Sequence, residues 1–200
     1  MKKLGFLSIL LVVCISFTGC TAALALLTAG MLTMGTDYYD SIDDYGVWKE
    51  NGIEIGFLPE ALDKYTVNDF SYIIYNYFDV CYEVYLDITV NKEQMAELLY
   101  EARAYSETYC EQEAWYADGY VEIVFEDEYL ISDFDLEQED GLEQVGWATV
   151  DKVIFNEETS NIIFVSFHAH DSGVRDVENV KYFNEFGITP EEYVKHLPKE

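Results

Sequence analysis

The sequence predicts an α+β fold in which a small antiparallel sheet has its helices packed on one face. Three stretches with strand-type patterning, at 121–131, 145–155 and 162–169, follow one another without a helix between them. Such a succession is typical of antiparallel sheets. One long stretch, 92–114, carries apolar residues at helical spacing instead. Half of the 200 residues are apolar, which is enough for a buried core.

The strands before this helix are predicted from β-branched and aromatic runs. Ile53–Ile55 is a candidate short strand, 57–63 a helical turn, and 70–77 a strand rich in Tyr and Ile. The clearest strand is 82–90, because its residues alternate in polarity. The apolar positions on one side of it are Tyr82, Val84, Leu86, Ile88 and Val90.

The long helix has a start signal in the sequence. Asn91 is a favoured N-cap residue and Gln94 stands at the third helical position, which together predict a capping box. Asp118-Gly119 ends any helical continuation. The face turned to the sheet is predicted to carry Met95, Leu98, Leu99, Ala102, Ser106 and Tyr109.

The C-terminal third is predicted to hold a hairpin and a short helix. The polar segment 156–161 reads as the turn between the last two strands. Thr189, Pro190 and Glu192 combine an N-cap, a proline at the first helical position and an acid at the third. Pro198 is expected to stop this helix.

The charge balance restricts the partners of the protein. The chain has 11 basic and 39 acidic residues, for a formal charge of −28. Such a surface repels phosphate backbones, so we expect no nucleic-acid binding, and it favours a soluble monomer. Aromatic residues make up 16% of the chain, which excludes a disordered acidic tail.

The N-terminus has the layout of an export signal. Lys2 and Lys3 precede an uncharged apolar stretch that runs from 4 to 17. The stretch ends in Phe17-Thr18-Gly19-Cys20, which resembles the lipobox of bacterial lipoproteins. This resemblance implies cleavage between Gly19 and Cys20 and attachment of a lipid to the Cys20 sulfur.

These features divide the chain into three expected parts. Residues 1–19 are the lipoprotein signal peptide, 20–52 the lipid anchor and acidic tether, and 53–200 a single exported domain. The anchored protein is expected on the outer face of a bacterial cytoplasmic membrane, because the lysines hold the signal's start inside. Its remaining partner would be an unidentified extracellular ligand or protein.

A second interpretation of the N-terminus stays open. The uncharged run continues past Cys20, so that 4–34 contains no charged residue. That exceeds the roughly 20 residues that a membrane-spanning helix needs. In this alternative, 4–34 is an uncleaved transmembrane anchor and Cys20 is not lipidated. A third interpretation is ordinary secretion, with cleavage after one of the alanines.

Cys81 and Cys110 are the only cysteines in the exported part, where disulfides form readily. A strand over 82–90 and a helix over 92–110 have similar lengths, so the two residues could return to one end of the domain. Against a bridge, Cys81 has the parity of the strand face opposite to the helix. The sequence therefore leaves two alternatives, a disulfide or two separate thiols.

His168, His170 and Asp171 form a candidate metal site. Alternate positions of a strand place both imidazoles on one face, and imidazole and carboxylate are zinc ligands. The arrangement resembles part of the His-x-His-x-Asp-His motif of metallo-β-lactamases, from which it departs at Ser172. Solvated histidines at a strand end are the alternative.

No other motif indicates a cofactor or a catalytic residue. The acidic stretch at 126–140 lacks the glycine and the final glutamate of a calcium loop, so it predicts at most weak cation association. Nucleophile elbows, zinc-protease helices and phosphate loops are missing from the sequence. The sequence thus favours a binding domain of unknown ligand, with an exported metal-dependent hydrolase as the alternative.

Overall fold

A computed structural model describes residues 35–76, 80–131, 145–170 and 181–189, together with Glu192, Tyr193 and His196. The chain divides into two units, Met1–Gly35 and Thr36–Glu200. All described residues except Gly35 belong to the second unit. The predicted signal peptide and anchor lie outside the described residues.

The described part of the chain is mostly sheet. The elements in chain order are β1 (Gly35–Tyr39), two 3₁₀ turns (Ile42–Asp44 and Val47–Lys49), β2 (Thr66–Asn76), β3 (Val80–Thr89), α1 (Lys92–Tyr105), β4 (Cys110–Glu113), β5 (Val121–Ile131), β6 (Val145–Asn156), β7 (Asn161–His170) and α2 (Lys181–Phe186).

The seven strands form one antiparallel sheet in the order β1-β2-β3-β7-β6-β5-β4. The hairpins β2–β3 and β6–β7 meet in the middle, where Leu86 of β3 is registered against Phe164 of β7. This confirms the antiparallel sheet. The sheet is larger than the small one expected, because β1 and β4 add a strand at each edge.

The sheet is covered on both faces. On the first, which we call the α1 face, Val84, Leu86 and Phe164 pack with the apolar stripe of α1. On the second, the α2 face, Tyr85 and Val165 pack with residues of α2. The expectation that the helices share one face is therefore wrong. β7 is apolar at successive positions, Ile162–Val165, so each of its faces needs cover.

Helix α1 begins as predicted and ends early. The Asn91 side chain accepts from Gln94 N, and the Gln94 side chain accepts from Asn91 N, both at 2.9 Å. The helix stops at Tyr105, where it was expected to reach 114. The Ser106 hydroxyl accepts from Thr108 N at 3.2 Å and donates to Thr108 O at 2.7 Å, so it gives the backbone a turn in place of another helical bond.

The expected tether is part of the folded unit. Trp48, which was assigned to the tether, is 1% exposed and packs edge-on against Tyr45 at 4.8 Å. Both contribute to the core of the α1 face. Ile53–Ile55 is not a strand, yet Ile53 and Ile55 are buried in the same core. The folded unit thus starts at Thr36, upstream of the predicted boundary at residue 53.

The hairpin β6–β7 turns where the sequence predicted. Asn156 pairs with Asn161, and the Asn156 side-chain oxygen accepts from Glu158 N at 2.9 Å and Thr159 N at 3.0 Å. Ser160 completes the turn in the left-handed region, with φ +60°. The turn is joined to the start of α1, since Val90 N donates to Ser160 O at 3.0 Å.

α2 was not predicted, and a buried carboxylate holds its first turn. Glu83 of β3 points to the α2 face, where its two oxygens accept from Lys181 N at 3.0 Å and Tyr182 N at 3.1 Å. Beyond α2, Thr189 and Glu192 form the predicted capping contact: Glu192 N donates to Thr189 Oγ1 at 3.2 Å, and Thr189 N donates to Glu192 Oε2 at 3.0 Å.

Candidate functional site

A groove lies between helix α1 and the turn that joins β6 to β7. Its volume is about 700 Å³, which is within the range of small-molecule sites. The hydrogen bond from Val90 N to Ser160 O fixes the distance between the two walls at one end of the groove. The lining residues are Lys92, Met95, Ala96, Leu99 and Arg103 on the α1 wall, and Glu157, Glu158 and Ser160 on the turn wall.

The floor of the groove is apolar. Met95 and Leu99 are buried at 6% and 3% exposure, and they lie four residues apart on one side of α1. Ala96 is exposed between them and has no side chain beyond Cβ. A larger residue at Ala96 would enter the space, so this alanine keeps the groove open.

The two walls carry opposite charges. Lys92 and Arg103 stand on the helix wall, and Glu157 and Glu158 stand on the turn wall. Arg103 already has a partner, because its guanidinium binds both carboxylate oxygens of Glu111 at 3.0 Å. This contact raises the pKa of Arg103 above its usual value.

Lys92, Glu157 and Glu158 are available for another partner. All three are exposed, and none of them forms a salt bridge within the part of the chain that the structure describes. The Glu157 charge also acts on Arg103, whose pKa it helps to raise. Lys92 on one wall and Glu158 on the other have no such interaction among the described residues, and this combination suits a ligand with both charges.

A polar cluster lies on the α1 face of the sheet, on strands β6 and β7. The Ser166 hydroxyl donates to Asp151 Oδ1 at 2.6 Å, and His168 Nε2 is 3.2 Å from Asp151 Oδ2. The Tyr82 ring stacks on the His168 ring, with centroids 4.8 Å apart. His168 is 28% exposed and Asp151 14%, so solvent still reaches the pair.

The order of these groups does not form a nucleophilic triad. In such a triad the imidazole accepts the hydroxyl proton while the carboxylate orients the imidazole. Here Ser166 and His168 both contact the Asp151 carboxylate. Among the described residues, no contact joins the Ser166 hydroxyl to the His168 imidazole. The arrangement holds the His168 ring in place but does not activate Ser166.

Only part of the predicted metal site can be compared with the structure. His170 lies in β7 opposite Trp147, but its side chain is outside the described part, as is Asp171. His168 has Asp151 as its neighbour, a residue that was not among the predicted ligands. Within the described ranges no three metal-ligating side chains converge.

A second polar cluster is buried under the α2 face. Lys152 Nζ lies 3.3 Å from Glu122 Oε2, and the two side chains are 1% and 2% exposed. Tyr193 Oη is 2.5 Å from the same ammonium, and Tyr116 Oη donates to Glu122 Oε2 at 2.7 Å. This pair is closed to solvent, so we regard it as a structural element of the core.

Cys81 and Cys110 do not form a disulfide with each other. Cys81 is buried on the α2 face, while Cys110 is exposed on the edge strand β4. Three strands separate β3 from β4, which puts their chains roughly 19 Å apart at about 4.8 Å per strand. Of the two alternatives, the fold therefore supports two separate thiols, because α1 ends at Tyr105 and Cys110 lies on β4, far from β3.

The other predicted features lie outside the described residues. These are the lipidation site Cys20, the uncharged run 4–34 and most of the acidic stretch at 126–140. Within the described ranges, neither helix combines the length and the apolar character that crossing a bilayer requires.

The sequence contained a signal for the contact between Asp151 and Ser166. Once the turn is fixed at 156–161, counting five residues outward along each strand from Asn156 and Asn161 pairs Asp151 with Ser166. Both are polar positions in strands that are mostly apolar. The groove had no such signal, because it depends on how the turn meets α1.

Comparisons with known proteins found no counterpart. The chain matches no protein-family model, no curated protein and no solved structure.

Proposed function

We propose that this protein is a bacterial lipoprotein, anchored through Cys20 to the outer face of the cytoplasmic membrane, whose folded unit binds a ligand outside the cell. The observation that carries the binding role is the open groove of about 700 Å³ with oppositely charged walls. The anchoring role rests on the lysines, the apolar stretch and the lipobox-like residues up to Cys20.

A binding role accounts for the polar groups better than a catalytic one. Ser166 and His168 share the Asp151 carboxylate without activating a nucleophile. The buried Lys152–Glu122 pair is 1–2% exposed and cannot meet a substrate without opening of the core. The groove, by contrast, presents exposed charges around an apolar floor, as ligand-binding sites do.

The anchoring is tested by expressing the full chain, Cys20→Ala and the matched control Cys14→Ala in a bacterial host. Cys14 lies in the apolar stretch without a lipobox before it. We expect the wild type and Cys14→Ala to begin at Cys20, to carry a lipid by intact mass and to stay with membranes. Cys20→Ala should be neither lipidated nor cleaved at Gly19. A full-length, unlipidated wild-type chain in the membrane would contradict the proposal and favour the anchor helix at 4–34.

A metal-dependent hydrolase that uses His168, His170 and Asp171 is the second candidate. One observation favours it: the Asp151 carboxylate lies 3.2 Å from His168 Nε2, so a nitrogen and an oxygen ligand are already adjacent. This candidate predicts stoichiometric zinc in the purified protein and its loss in the His168→Ala, His170→Ala double variant. Purified protein that is free of metal, and whose melting temperature does not change when zinc is added, would refute this candidate.

A further inference from the structure

We infer that the groove between α1 and the β6–β7 turn binds a small zwitterion with an apolar centre, namely a short peptide with free termini. The inference rests on the proposed binding function and specifies its ligand class. The peptide's carboxylate meets Lys92, its ammonium meets Glu157 and Glu158, and an apolar side chain lies on Met95 and Leu99.

The charges select for a zwitterion over a simple anion or cation. A phosphate-rich or purely anionic ligand would be repelled by the −28 charge of the chain and by the two glutamates of the turn. A purely cationic ligand would be attracted to most of the surface and would leave Lys92 in the groove opposed to it. A ligand with both charges engages both walls.

The assignment of each terminus follows from which side chains are committed. Arg103 is held by two hydrogen bonds to Glu111, so Lys92 is the cation of the α1 wall that has no salt bridge in the described structure. Glu157 and Glu158 stand on a turn whose backbone is fixed by the Asn156 side chain. Their carboxylates are thus presented from a rigid base and are positioned for an ammonium group.

The floor sets the character of the middle of the ligand. Met95 and Leu99 are core residues, and the small part of each that faces the groove is apolar, so an aliphatic group of the ligand can lie on it. The Ala96 side chain is too small to fill the groove, so a ligand side chain of the size of leucine has room there. The groove therefore recognises the ends of a peptide by charge and tolerates variety between them.

The test is calorimetric titration of the full-length protein in detergent with the tripeptide Ala-Leu-Ala. The same peptide with an acetylated N-terminus and an amidated C-terminus is the ligand control. We expect the free peptide to bind with submillimolar affinity and the blocked peptide to lose at least tenfold. Equal heats of binding for the two peptides, or no binding of the free peptide at millimolar concentration, would overturn the inference.

Matched variants locate the site. Ala96→Arg fills the groove, whereas Ala104→Arg makes the same change at an exposed position of α1 that does not line it. We expect at least a tenfold loss of affinity in the first and none in the second. Lys92→Gln should weaken binding while Lys49→Gln, at the exposed last position of the second 3₁₀ turn, should not. Equal changes in affinity within either pair of variants would contradict the assignment of the groove as the binding site.

The outcome is separable from the fate of the proposed anchoring. Membrane attachment is measured by the mass and fractionation of Cys20→Ala, which does not depend on the groove. A lipidated protein that ignores the tripeptide would overturn this inference alone. A protein that binds the tripeptide but is not lipidated would leave the groove assigned and contradict the anchor.

Discussion

Glu83 and Lys181 are 98 residues apart in the chain, yet the Glu83 carboxylate accepts a hydrogen bond from the Lys181 backbone N–H at 3.0 Å. The contact fastens α2 to the centre of the sheet. Burial raises the pKa of Glu83 to about 7, against the hydrogen bonds from Lys181 and Tyr182 and the Lys181 charge, which lower it.

The raised pKa of Glu83 predicts a pH-dependent stability. Because the folded state holds the proton more tightly than the unfolded state, this stabilisation is complete below about pH 4.5 and is lost as the pH rises through about 7. The free energy of unfolding should therefore fall by up to about 3 kcal/mol over this window relative to Glu83→Gln. Denaturant unfolding at several pH values measures it, with the exposed Glu54→Gln as control. Parallel pH curves for wild type and Glu83→Gln would show that Glu83 does not titrate there.

The buried Lys152–Glu122 pair predicts a strong asymmetry between single and double variants. Lys152→Met leaves the Glu122 charge buried without its ammonium partner and should destabilise the protein by about 3–5 kcal/mol. Combining it with Glu122→Leu removes that charge and should restore much of the loss. The exposed pair Lys64–Glu97, at 3.9 Å, is the control, and Lys64→Met should cost less than about 1 kcal/mol. A double variant as unstable as the sum of its singles would refute the coupling.

The turn that forms one wall of the groove predicts a stabilising substitution. Ser160 has φ +60°, a region in which glycine is free of the steric cost that other residues meet. Ser160→Gly should raise the free energy of unfolding by about 0.5–1 kcal/mol. The opposite change is Gly119→Ala, at φ +77°, where an added Cβ would lie 3.2 Å from Asn156 Nδ2. That variant should be less stable than the wild type, and a gain in stability there would contradict the geometry.

The two thiols of the folded unit should differ in reactivity. Cys110 is exposed on β4 and Cys81 is fully buried, so an alkylating reagent should modify Cys110 rapidly and Cys81 only after denaturation. Peptide mapping by mass spectrometry of the full chain distinguishes the two sites. Protection of both cysteines until a reductant is added would indicate the disulfide that this fold does not allow.

How much of the fold was predictable depended on whether the signal was local. β3 and the start of α1 were predicted because their signals, alternating polarity and a capping box, each lie within about ten residues of sequence. β1 and β4 were missed since they are short edge strands; all four residues of β4 are exposed and show no apolar period. Their place is set by hydrogen bonds to a neighbouring strand, which no local pattern records.

The candidate site shows the same division. His168 could be singled out as a chemical group in a strand, but its partner Asp151 required the hairpin register. The groove required still more, because α1 and the β6–β7 turn are more than fifty residues apart in the chain. The helices lie on two faces because β7 is apolar at successive positions. A period of two assumes one apolar face, so it did not predict cover on both.

The central pairing of β3 with β7 has a consequence for how the protein is made. A chain that emerges N-terminus first can form the β2–β3 hairpin early, but the other edge of β3 stays open until residues 161–170 have followed. This pairing joins residues that are 72 (Thr89 and Asn161) to 86 (Tyr82 and His168) positions apart in the chain, and such non-local contacts make folding slow. During synthesis, the unpaired edge of β3, in a strand with apolar side chains, is thus a natural binding point for chaperones.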